Sequence, residues 1–377
     1  MRPVWLTAIA TVWMAAFVMA RSPAPRAYEW SLPPGFPPPA IPADNPISVE
    51  KAELGRRLFY DTRLSGNGTQ SCGTCHEQAR AFTDGRPRSI GSTGQTHPRG
   101  SMSLVNVAYA RTLTWANPAM TRLEDQALVP MYGDHPIELG LDRGDRWLES
   151  IKADATYQRL FTSAFSEHSD RITRDNVVKA IATFERSIVS ARSPYDRYHF
   201  DRDESAISES AKRGEILFHS RPLSCFTCHG GLHFSSAMGT RRDFPVEFHN
   251  TGLYNLAGVL SYPPETVGLY ELTHDPRDVG KFKPPTLRNV AVTAPYMHDG
   301  SVATLEDAID HYAAGGRTIS DGVYRGSGRD NPNKSAAVQG FPLTTQQRAD
   351  LVAFLRSLTD DALLHDARFS NPWPHRR

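Results

Sequence analysis

The sequence of 377 residues contains little cysteine and no excess of charge of either sign. It has four cysteines, and its 42 lysines and arginines nearly balance its 41 aspartates and glutamates, which gives a formal net charge of +1. This balance leaves no basic stripe of the kind that neutralises phosphates, so we do not expect nucleic acid as a partner. The length is sufficient for two ordinary domains, each with its own core.

Long hydrophobic runs are also scarce, since mean hydropathy is −0.44 and the one long apolar run is at the start of the chain. It extends from Val4 to Met19, follows a positive residue at Arg2, and leads to small residues. This pattern predicts a secretory signal peptide over residues 1–20, removed after about Ala20. The alternative is an uncleaved membrane anchor, for which the run is slightly short. In either case we expect the folded part outside the cytoplasm, in the periplasm.

The four cysteines all fall in two copies of one pattern, so none is left over for a disulfide, the usual role of cysteine in an exported protein. The copies are Cys72-Gly73-Thr74-Cys75-His76 and Cys225-Phe226-Thr227-Cys228-His229. Cys-x-x-Cys-His is the attachment signature of a c-type haem. The two thiols add to the vinyl groups, and the histidine is held under the iron as its proximal ligand. The pattern therefore predicts two covalently bound haem c groups, with His76 and His229 as proximal ligands.

Two other chemistries use paired cysteines. A thioredoxin-like redox pair follows a strand in a βαβ unit, which the sequence around these motifs does not indicate. A zinc site uses two Cys-x-x-Cys pairs without a dedicated histidine after each. The predicted export, the repetition of the motif and the absence of other cysteines favour haem.

Two segments of the chain are similar to each other. The sequence LGRRLFYDTRLSGNGTQSCGTCH (54–76) resembles AKRGEILFHSRPLSCFTCH (211–229). In both, a predicted helix with a glycine and a Leu-Phe pair leads into Cys-x-x-Cys-His. Each half closes with an amphipathic helical pattern, over 176–190 and 344–358, and the second pattern begins with capping-box spacing. The polar stretch 193–206 marks the boundary between the halves.

The remaining segments have few signals of regular structure. Residues 21–46 are rich in proline, which fixes φ and removes backbone donors, so we expect an extended strap on the surface and no helix there. Strand signals are poor, and the segment 230–300, rich in glycine, proline, asparagine and histidine, is typical of ordered loop. A chain with few helices and much loop needs a large buried group to pack against, and a haem macrocycle would provide one.

The segment FKPPTLRNVAVTAPYMHDGSVATLEDAIDHYAAGG (282–316) resembles the second-haem region of the bacterial di-haem cytochrome c peroxidase and MauG family. The resemblance extends from about residue 46 to residue 360. It implies an all-α fold of two cytochrome-c-like domains with long ordered loops. The N-terminal domain, 47–200, would hold the peroxide-binding haem, and the C-terminal domain, 201–365, the second haem.

In the peroxidases of this family, the second iron is bound by a methionine eight residues after the threonine of a Thr-Leu-Glu motif. Counting from Thr304, the eighth residue is Tyr312, and tyrosine at this position is the pattern of the MauG branch. The resemblance thus implies that Tyr312 is an iron ligand. The alternatives are ligation by Met297 or Met238, with Tyr312 as a packing residue near a helix end.

A tyrosine ligand would change the redox role of the second haem. A phenol has an ordinary pKa near 10, but a ferric ion lowers the pKa of what it binds. The resulting phenolate is a hard anionic donor that favours Fe(III) and Fe(IV), whereas a methionine thioether raises the potential. With Tyr312 as ligand, the second haem would store an oxidising equivalent rather than an electron.

The segment LTWANPAMTRLEDQALVPMYGDHPIELG (113–140) resembles the family segment at the open face of the first haem. The resemblance implies that Trp115 lies between the haems, and that Gln126 and Glu138 bind peroxide and carry protons. Pro130 cannot bind iron and would keep it five-coordinate. The spacings from Trp115 to Gln126 and from Pro130 to Glu138 are longer than in the family. The alternative is that this segment is a helix end followed by a solvated acid.

Two further sites are implied by the resemblance. His97 could occupy the first iron at rest, or it could lie at the surface or beside a haem propionate. A calcium ion between the domains would be bound by the side chain of Asn106 and by the backbone carbonyls of Thr293 and Pro295, since hard oxygen ligands suit calcium.

Within the MauG branch, segments such as GSTGQTHPRGSMSLVNVAYARTLTWANP resemble the MbnH-type enzymes. Those enzymes oxidise a tryptophan of a small exported partner, MbnP, to kynurenine. The resemblance implies hydrogen peroxide as oxidant and a bis-Fe(IV) state shared by the two haems. MauG passes oxidation to its protein substrate through a tryptophan two residues before the second haem motif, and here that residue is Leu223. Trp147 and Trp373 are other candidate exits, without positional support.

Two other functions stay open. A cytochrome c peroxidase would reduce peroxide with electrons from a small cytochrome or cupredoxin, and it would need a high-potential second haem, against which Tyr312 argues. A non-catalytic di-haem electron carrier would have two six-coordinate irons and would not react with peroxide.

Overall fold

This computed structural model describes residues 25–167, 169–240, 245–256 and 262–373. The predicted signal peptide, residues 1–20, and the start of the proline-rich strap lie outside the described part of the chain. Within the described ranges, no helix is both long enough and apolar enough to cross a membrane.

The described part of the chain is mainly helical. In chain order its α-helices are α1 (Val49–Phe59), α2 (Cys72–Cys75), α3 (Leu123–Tyr132), α4 (Arg146–Lys152), α5 (Ala155–Ala164), α6 (Arg174–Ser187), α7 (Pro194–Phe200), α8 (Glu209–Phe218), α9 (Cys225–His229), α10 (Tyr270–Thr273), α11 (Leu305–Ala314), α12 (Thr345–Ser357) and α13 (Asp361–His365). Short 3₁₀ turns lie between several of them. A two-residue antiparallel pair joins β1 (Thr318–Ile319) to β2 (Gly326–Ser327). The predicted helical class is therefore confirmed.

In the first half, α1 crosses α6 at a glycine. A Cβ atom on Gly55 would lie 1.9 Å from the backbone oxygen of Ala180, so the helices meet at a distance that only glycine permits. The side chain of Thr173 caps the start of α6, because its oxygen satisfies a backbone N–H that the helix itself leaves unpaired. The helix predicted over 176–190 is present, although it ends at Ser187.

The second half repeats this crossing with α8 and α12. A Cβ atom on Gly214 would lie 2.0 Å from the backbone oxygen of Asp350. The predicted capping box is also present, since the side chain of Thr344 accepts from the backbone N–H of Gln347, whose own side chain accepts from the N–H of Thr344. The sequence repeat therefore corresponds to two similar helix pairs, each leading into a Cys-x-x-Cys-His motif.

Buried polar residues join the two halves. Asn106 and Asn289 begin equivalent 3₁₀ turns, both in the left-handed conformation with φ of 59° and 63°. The amide of Asn106 donates to the backbone oxygen of Ser190 at 3.0 Å and accepts from its N–H at 2.7 Å. The amide of Asn289 donates to the hydroxyl of the same serine at 3.1 Å, and that hydroxyl donates to Asp360 at 3.1 Å. One serine thus connects equivalent turns from both halves.

The proline-rich strap packs on the body of the protein, and its described part contains no helix, as predicted. Phe36 is 5% exposed and lies with its ring centroid 6.0 Å from that of Tyr109 and 5.8 Å from that of Phe200. Further along, the side chain of Asn45 donates to Glu124 at 2.7 Å. The strap therefore contributes to the core as well as to the surface.

The end of the chain returns to the first half. Leu363, Leu364 and Phe369 are buried in the hydrophobic cluster of the first half, and Gln78 donates to the backbone oxygen of Leu363 at 2.8 Å. Residues at the end of the predicted C-terminal domain, 201–365, and just after it therefore pack on the first half. The polar stretch between the halves is also more regular than a linker, because it contains α7.

Candidate active site

Both Cys-x-x-Cys-His motifs form short helical turns, and none of the four cysteines forms a disulfide. Burial raises the pKa of Cys75 and of Cys225 to about 12 and the pKa of Cys228 to about 11. Burial likewise raises the pKa of Cys72, and the carboxylate of Glu185 adds to this effect. The thiols therefore lie in apolar surroundings, as the walls of a porphyrin pocket require.

The two motif histidines are held alike. Nδ1 of His76 lies 2.8 Å from the backbone oxygen of Phe82, and Nδ1 of His229 lies 3.2 Å from the backbone oxygens of Phe234 and Pro285. When Nδ1–H donates to a carbonyl, Nε2 is the nitrogen left for a metal, and the ring orientation is fixed. Burial lowers the pKa of both histidines, that of His229 to about 4. Both rings are therefore neutral at pH 7, as an iron ligand must be.

A large cavity lies beside the second motif. It encloses about 1850 Å³ of empty space, part of it open to solvent. Its walls include Cys225, Cys228 and His229 on one side and Tyr312 of α11, together with apolar side chains of α8, α11 and α12. A cavity with two thiols, a neutral histidine and an apolar lining fits a covalently attached haem.

The structure places Tyr312 where the sequence predicts an iron ligand, in the cavity that contains His229. Helix α11 begins after Thr304, whose side chain caps it, and ends at Gly315 in the left-handed conformation. The pKa of Tyr312 is raised by burial and then by the neighbouring Cys228 and Cys225. The phenol is therefore protonated at neutral pH unless a cation such as ferric iron binds it.

The two methionines considered as alternative ligands lie in different places. Met297 lines the same cavity as Tyr312 and also packs in the cluster of Leu253 and Val302. Met238 packs instead against a small apolar cluster that includes Ala110, with which it forms an isolated β-bridge. The geometry thus retains Met297 as an alternative and places Met238 elsewhere.

Sequence reasoning missed two polar residues in this cavity, Lys283 and His298. Nζ of Lys283 donates to the backbone oxygen of Thr112 at 2.7 Å, and burial lowers its pKa to about 7. The ring of His298 is stacked on Phe282, with centroids 3.7 Å apart. Among the described residues its buried Nε2 has no hydrogen-bond partner. Both groups fit the carboxylates of a haem, and the resembling segment 282–316 contains them without marking them by any local pattern.

Trp115 lies in the wall between the two halves. It lines the cavity of the second motif together with residues of the first half, such as Ser101. Its indole N–H donates to the backbone oxygen of Gly100 at 2.9 Å, and its own backbone oxygen accepts from the N–H of Lys283 at 2.9 Å. Trp115 is therefore held by both halves, through its indole by Gly100 and through its backbone by Lys283.

Two of the residues expected to face peroxide lie on α3. Gln126 and Pro130 are four residues apart and therefore lie on one face of this helix. Pro130 has no N–H, so the backbone oxygen of Gln126 lacks its usual helical donor. The N–H of Leu139 donates to the backbone oxygen of Pro130 at 2.9 Å, which folds the following loop back over the end of α3.

This loop places Glu138 beside His97. The backbone oxygen of Glu138 accepts from the N–H of Ser92 at 2.7 Å. A Cβ atom on Gly91 would lie 1.9 Å from the backbone oxygen of Ile137, so only glycine allows this close approach. Oε1 of Glu138 then lies 3.8 Å from Nε2 of His97. The longer spacing noted in the sequence therefore still brings Glu138 into a defined position.

The electrostatics of Glu138 suit proton transfer. Burial raises its pKa to about 7, so the group exchanges a proton near neutral pH. Its charge also contributes to the raised pKa of Cys75, after burial and the charge of Asp84. Glu138 therefore lies on the side of the first Cys-x-x-Cys-His motif.

Comparison with known proteins agrees with this geometry. Residues 49–205 match the family model described as di-haem cytochrome c peroxidase. The chain is 34% identical to the methylamine utilization protein MauG of Methylophilus methylotrophus over 330 residues, which cover 86% of this chain and 88% of that protein. It is 33% identical to the cytochrome-c peroxidase IdrP1 of Denitromonas iodatirespirans over 359 residues, which cover 88% of this chain and 87% of that protein. The chain belongs to the di-haem cytochrome c peroxidase and MauG family.

Among solved structures, this family member is similar to a MauG-like protein associated with microbial copper homeostasis. The two are 47% identical, with a TM-score of 0.89 over 92% of this chain and 100% of the other. Membership of the family makes the protein a di-haem peroxidase-type oxidoreductase and implies two haem c groups, which the donor sets at His76 and His229 fit.

The residues expected to bind calcium have other contacts in this structure. The amide of Asn106 is fully buried and hydrogen-bonded to Ser190, with its Nδ2 3.2 Å from Nδ1 of His233. Thr293 and Pro295 line the cavity of the second motif. A calcium ion bound by Asn106, Thr293 and Pro295 stays a prediction.

The expected exit positions lie in different parts of the protein. Leu223, which replaces the exit tryptophan of MauG, is 9% exposed and lines the second cavity. Trp147 is buried in the core of the first half, and Trp373 packs against the same core. Neither tryptophan therefore stands beside the second motif.

Proposed function

We propose that this protein is an exported di-haem enzyme that uses hydrogen peroxide to oxidise a tryptophan of a small exported partner, resembling MbnP, to kynurenine. The observation that carries the proposal is the position of Tyr312 in the cavity of His229. An anionic phenolate in the cavity of His229 would stabilise an oxidised iron held there, which suits storage of oxidising equivalents rather than electron donation.

When bound, the two haems would supply the redox chemistry, in which peroxide reacts at the first haem and both haems hold oxidising equivalents. Pro130 has no side-chain donor and so would not bind the iron of the first haem. Gln126 donates a hydrogen bond to bound peroxide. Glu138, whose pKa burial raises to about 7, takes the proton of peroxide and returns it to the departing oxygen.

Trp115 would pass charge between the two haem sites. Its indole stands between the halves with its N–H bound to Gly100 and its backbone bound to Lys283. A fixed aromatic ring needs little reorganisation when charge moves through it. This supports sharing of oxidising equivalents between the His76 and His229 sites.

The resemblance in sequence and fold to a MauG-like protein associated with microbial copper homeostasis supports a partner linked to copper. Export to the periplasm is supported by the signal-peptide pattern at residues 1–20. A protein substrate fits such an enzyme, because the oxidising equivalents can be transferred from the haem sites to the protein surface.

One observation favours a second function. Met297 also lines the second cavity, and a methionine ligand would raise the potential of the second haem. The protein would then be a cytochrome c peroxidase that receives electrons from a small cytochrome or cupredoxin.

A single experiment separates these functions. Stoichiometric peroxide is added to the purified diferric protein, and near-infrared and EPR spectra are recorded. A near-infrared charge-resonance band with loss of both ferric signals supports shared oxidation, and incubation with the candidate partner followed by mass spectrometry then tests for kynurenine. If the diferric protein ignores peroxide and reacts only after one-electron reduction, the peroxidase function replaces the proposed one. If neither form reacts, the protein is an electron carrier.

A further inference from the structure

The proximal side of the second motif carries a cluster of aromatic rings. Phe218, Phe234 and Phe354 have ring centroids 5.2 to 6.0 Å apart. The backbone oxygen of Phe234 accepts from Nδ1 of His229, and Phe218 lines the cavity of the second motif. This cluster is therefore in contact with both the proximal ligand and the cavity wall.

The first half has an equivalent cluster. Phe59, Phe82 and Phe184 pack together, with Phe59 5.1 Å from Phe184 and 6.3 Å from Phe82. The backbone oxygen of Phe82 accepts from His76. Three phenylalanines are thus common to both helix pairs and belong to the core. In the first half Phe369 packs on Phe184 at 6.3 Å. Tyr60 packs there on Phe59 at 5.1 Å, and its hydroxyl donates to the backbone oxygen of Phe369 at 2.8 Å.

In the second half the added ring is a tyrosine. Tyr195 of α7 lies with its ring 5.1 Å from Phe234 and 5.8 Å from Phe354. It is half-buried. The hydroxyl of Tyr60 donates to a backbone carbonyl, whereas Tyr195 lies beside the pair His199 and Glu215. Tyr195 therefore packs directly on Phe234, the residue whose backbone oxygen holds His229.

The outer side of Tyr195 reaches the surface. Its ring packs at an angle of 45° against the exposed ring of His199, with centroids 4.2 Å apart. Nε2 of His199 lies 2.7 Å from Oε1 of Glu215. Burial raises the pKa of Tyr195, and Glu215 raises it further as a negative charge and as a hydrogen-bond acceptor. A phenol, a carboxylate and an imidazole thus adjoin one another at the surface.

A proton acceptor decides whether a tyrosine can be oxidised reversibly. An oxidised phenol is a strong acid, so its proton must move to a base nearby as the electron leaves. Glu215, a carboxylate that lies 2.7 Å from Nε2 of His199 and raises the pKa of Tyr195, is the base that this site offers. Tyr296, which lines the second cavity, donates instead to the backbone oxygen of Val290 at 3.1 Å, and a carbonyl cannot take the proton at neutral pH.

We propose that Tyr195 relays oxidising equivalents from the second haem to the surface, with Glu215 as its proton acceptor. This rests on the proposed function, in which hydrogen peroxide, a two-electron oxidant, supplies the equivalents. Tyr195 gives one electron to the oxidised haem and its phenol proton to Glu215. An electron from the docked partner then reduces the tyrosyl radical, and the proton returns from Glu215. Two such transfers consume both equivalents of one peroxide.

The test uses the holoenzyme without its partner, so that the partner cannot consume the oxidising equivalents. Stoichiometric peroxide is added, the sample is freeze-quenched at intervals, and EPR is recorded for protein grown with natural or ring-deuterated tyrosine. We expect a radical signal that ring deuteration narrows. Tyr195→Phe should lose this signal and lengthen the life of the oxidised haem state, while Glu215→Gln should slow formation of the signal. Tyr198→Phe is the matched control, because Tyr198 lies on the same helix and contacts the same His199.

The haem spectra separate the possible failures. If the oxidised haem state forms and decays with the same radical in Tyr195→Phe as in the wild type, the relay is wrong while the proposed function stands. If the wild type forms no oxidised haem state, the proposed function fails, and the relay falls with it because Tyr195 has no oxidant. Unchanged haem content and ferric spectra before peroxide show that each variant has folded.

Discussion

Oε1 of Glu138 lies 3.8 Å from Nε2 of His97, so two residues 41 positions apart in the chain meet beside the first Cys-x-x-Cys-His motif. Glu138 comes from the loop after α3, and His97 comes from the turn that holds this loop in place. In the proposed function Glu138 would transfer the protons of peroxide, which leads to the first prediction.

The reaction of the diferric protein with peroxide should depend on pH. Burial raises the pKa of Glu138 to about 7, so the carboxylate able to accept the peroxide proton forms as pH rises through this value. We expect the second-order rate constant to rise up to about pH 7 and then to level off. Glu138→Gln should lower the rate constant by about 10²–10⁴-fold and remove the dependence. Stopped-flow absorbance between pH 5 and 9 measures this, and an unchanged profile in the variant would assign the proton to another group.

The same carboxyl should make stability depend on pH in a defined direction. In the unfolded chain its pKa is about 4.3, and in the folded protein it is about 7, so the folded state holds the proton more tightly. The stabilising contribution is fully present below about pH 4 and is lost as pH rises through 7. Relative to Glu138→Gln, the wild type should therefore lose stability between pH 5 and 8 in thermal unfolding. A constant difference across this range would contradict the raised pKa.

The ligand of the second haem should be identifiable by substitution. Replacing Tyr312 by methionine exchanges an anionic donor for a thioether, so the potential of the second haem should rise, and the near-infrared band after peroxide should disappear. Spectroelectrochemistry and EPR measure both effects. Met297→Leu is the matched comparison, since Met297 lines the same cavity. If Met297→Leu shifts the potential and Tyr312→Phe does not, the ligand is the methionine.

Removing the indole between the halves should uncouple the two haems. In Trp115→Phe we expect peroxide still to react at the first haem while the ferric EPR signal of the second haem persists longer than in the wild type. The control is Trp147→Phe, because Trp147 is buried in the first half and away from the second cavity. Equal loss of both ferric signals in Trp115→Phe and the wild type would show that charge passes by another path.

The glycine crossings should be intolerant of even one methyl group. Gly55→Ala and Gly214→Ala would place a Cβ atom 1.9 and 2.0 Å from the backbone oxygens of Ala180 and Asp350. Each change should lower the free energy of unfolding by about 1–3 kcal/mol, as overpacking does. Gly144→Ala is the control: its Cβ atom would meet only a side-chain oxygen of an exposed loop at 2.9 Å, so its effect should stay within about 0.5 kcal/mol. Chemical denaturation of the holoprotein measures all three.

Much of the architecture could be predicted because its signals are local. The capping box of Thr344 and Gln347 involves residues three apart, and its hydrogen bonds are present as expected. The repeated helix with a glycine before Cys-x-x-Cys-His corresponds to two similar crossings at Gly55 and Gly214. The end of α6 at Ser187 was less predictable, because the apolar period continues after the backbone has left the helix.

The candidate site could be predicted only in part. Tyr312 was found by counting along a motif, and the structure places it in the cavity of His229. Lys283 and His298 were not found, because a lysine or histidine in a loop segment is ordinarily a surface residue. Only the packing of both halves around the cavity shows that these two groups are buried within it.

The sequence by itself determined the two haem attachment motifs, the proximal histidines and the paired helices, because each depends on residues within a few positions of one another. Tertiary structure alone decided that Glu138 meets His97 and that the chain end packs on the first half. It also placed Tyr195 between the aromatic cluster and Glu215. These contacts join residues that are distant in the chain, and no local period encodes them. They follow from burial of apolar surface on both helix pairs at once, which fixes where the intervening loops must pass.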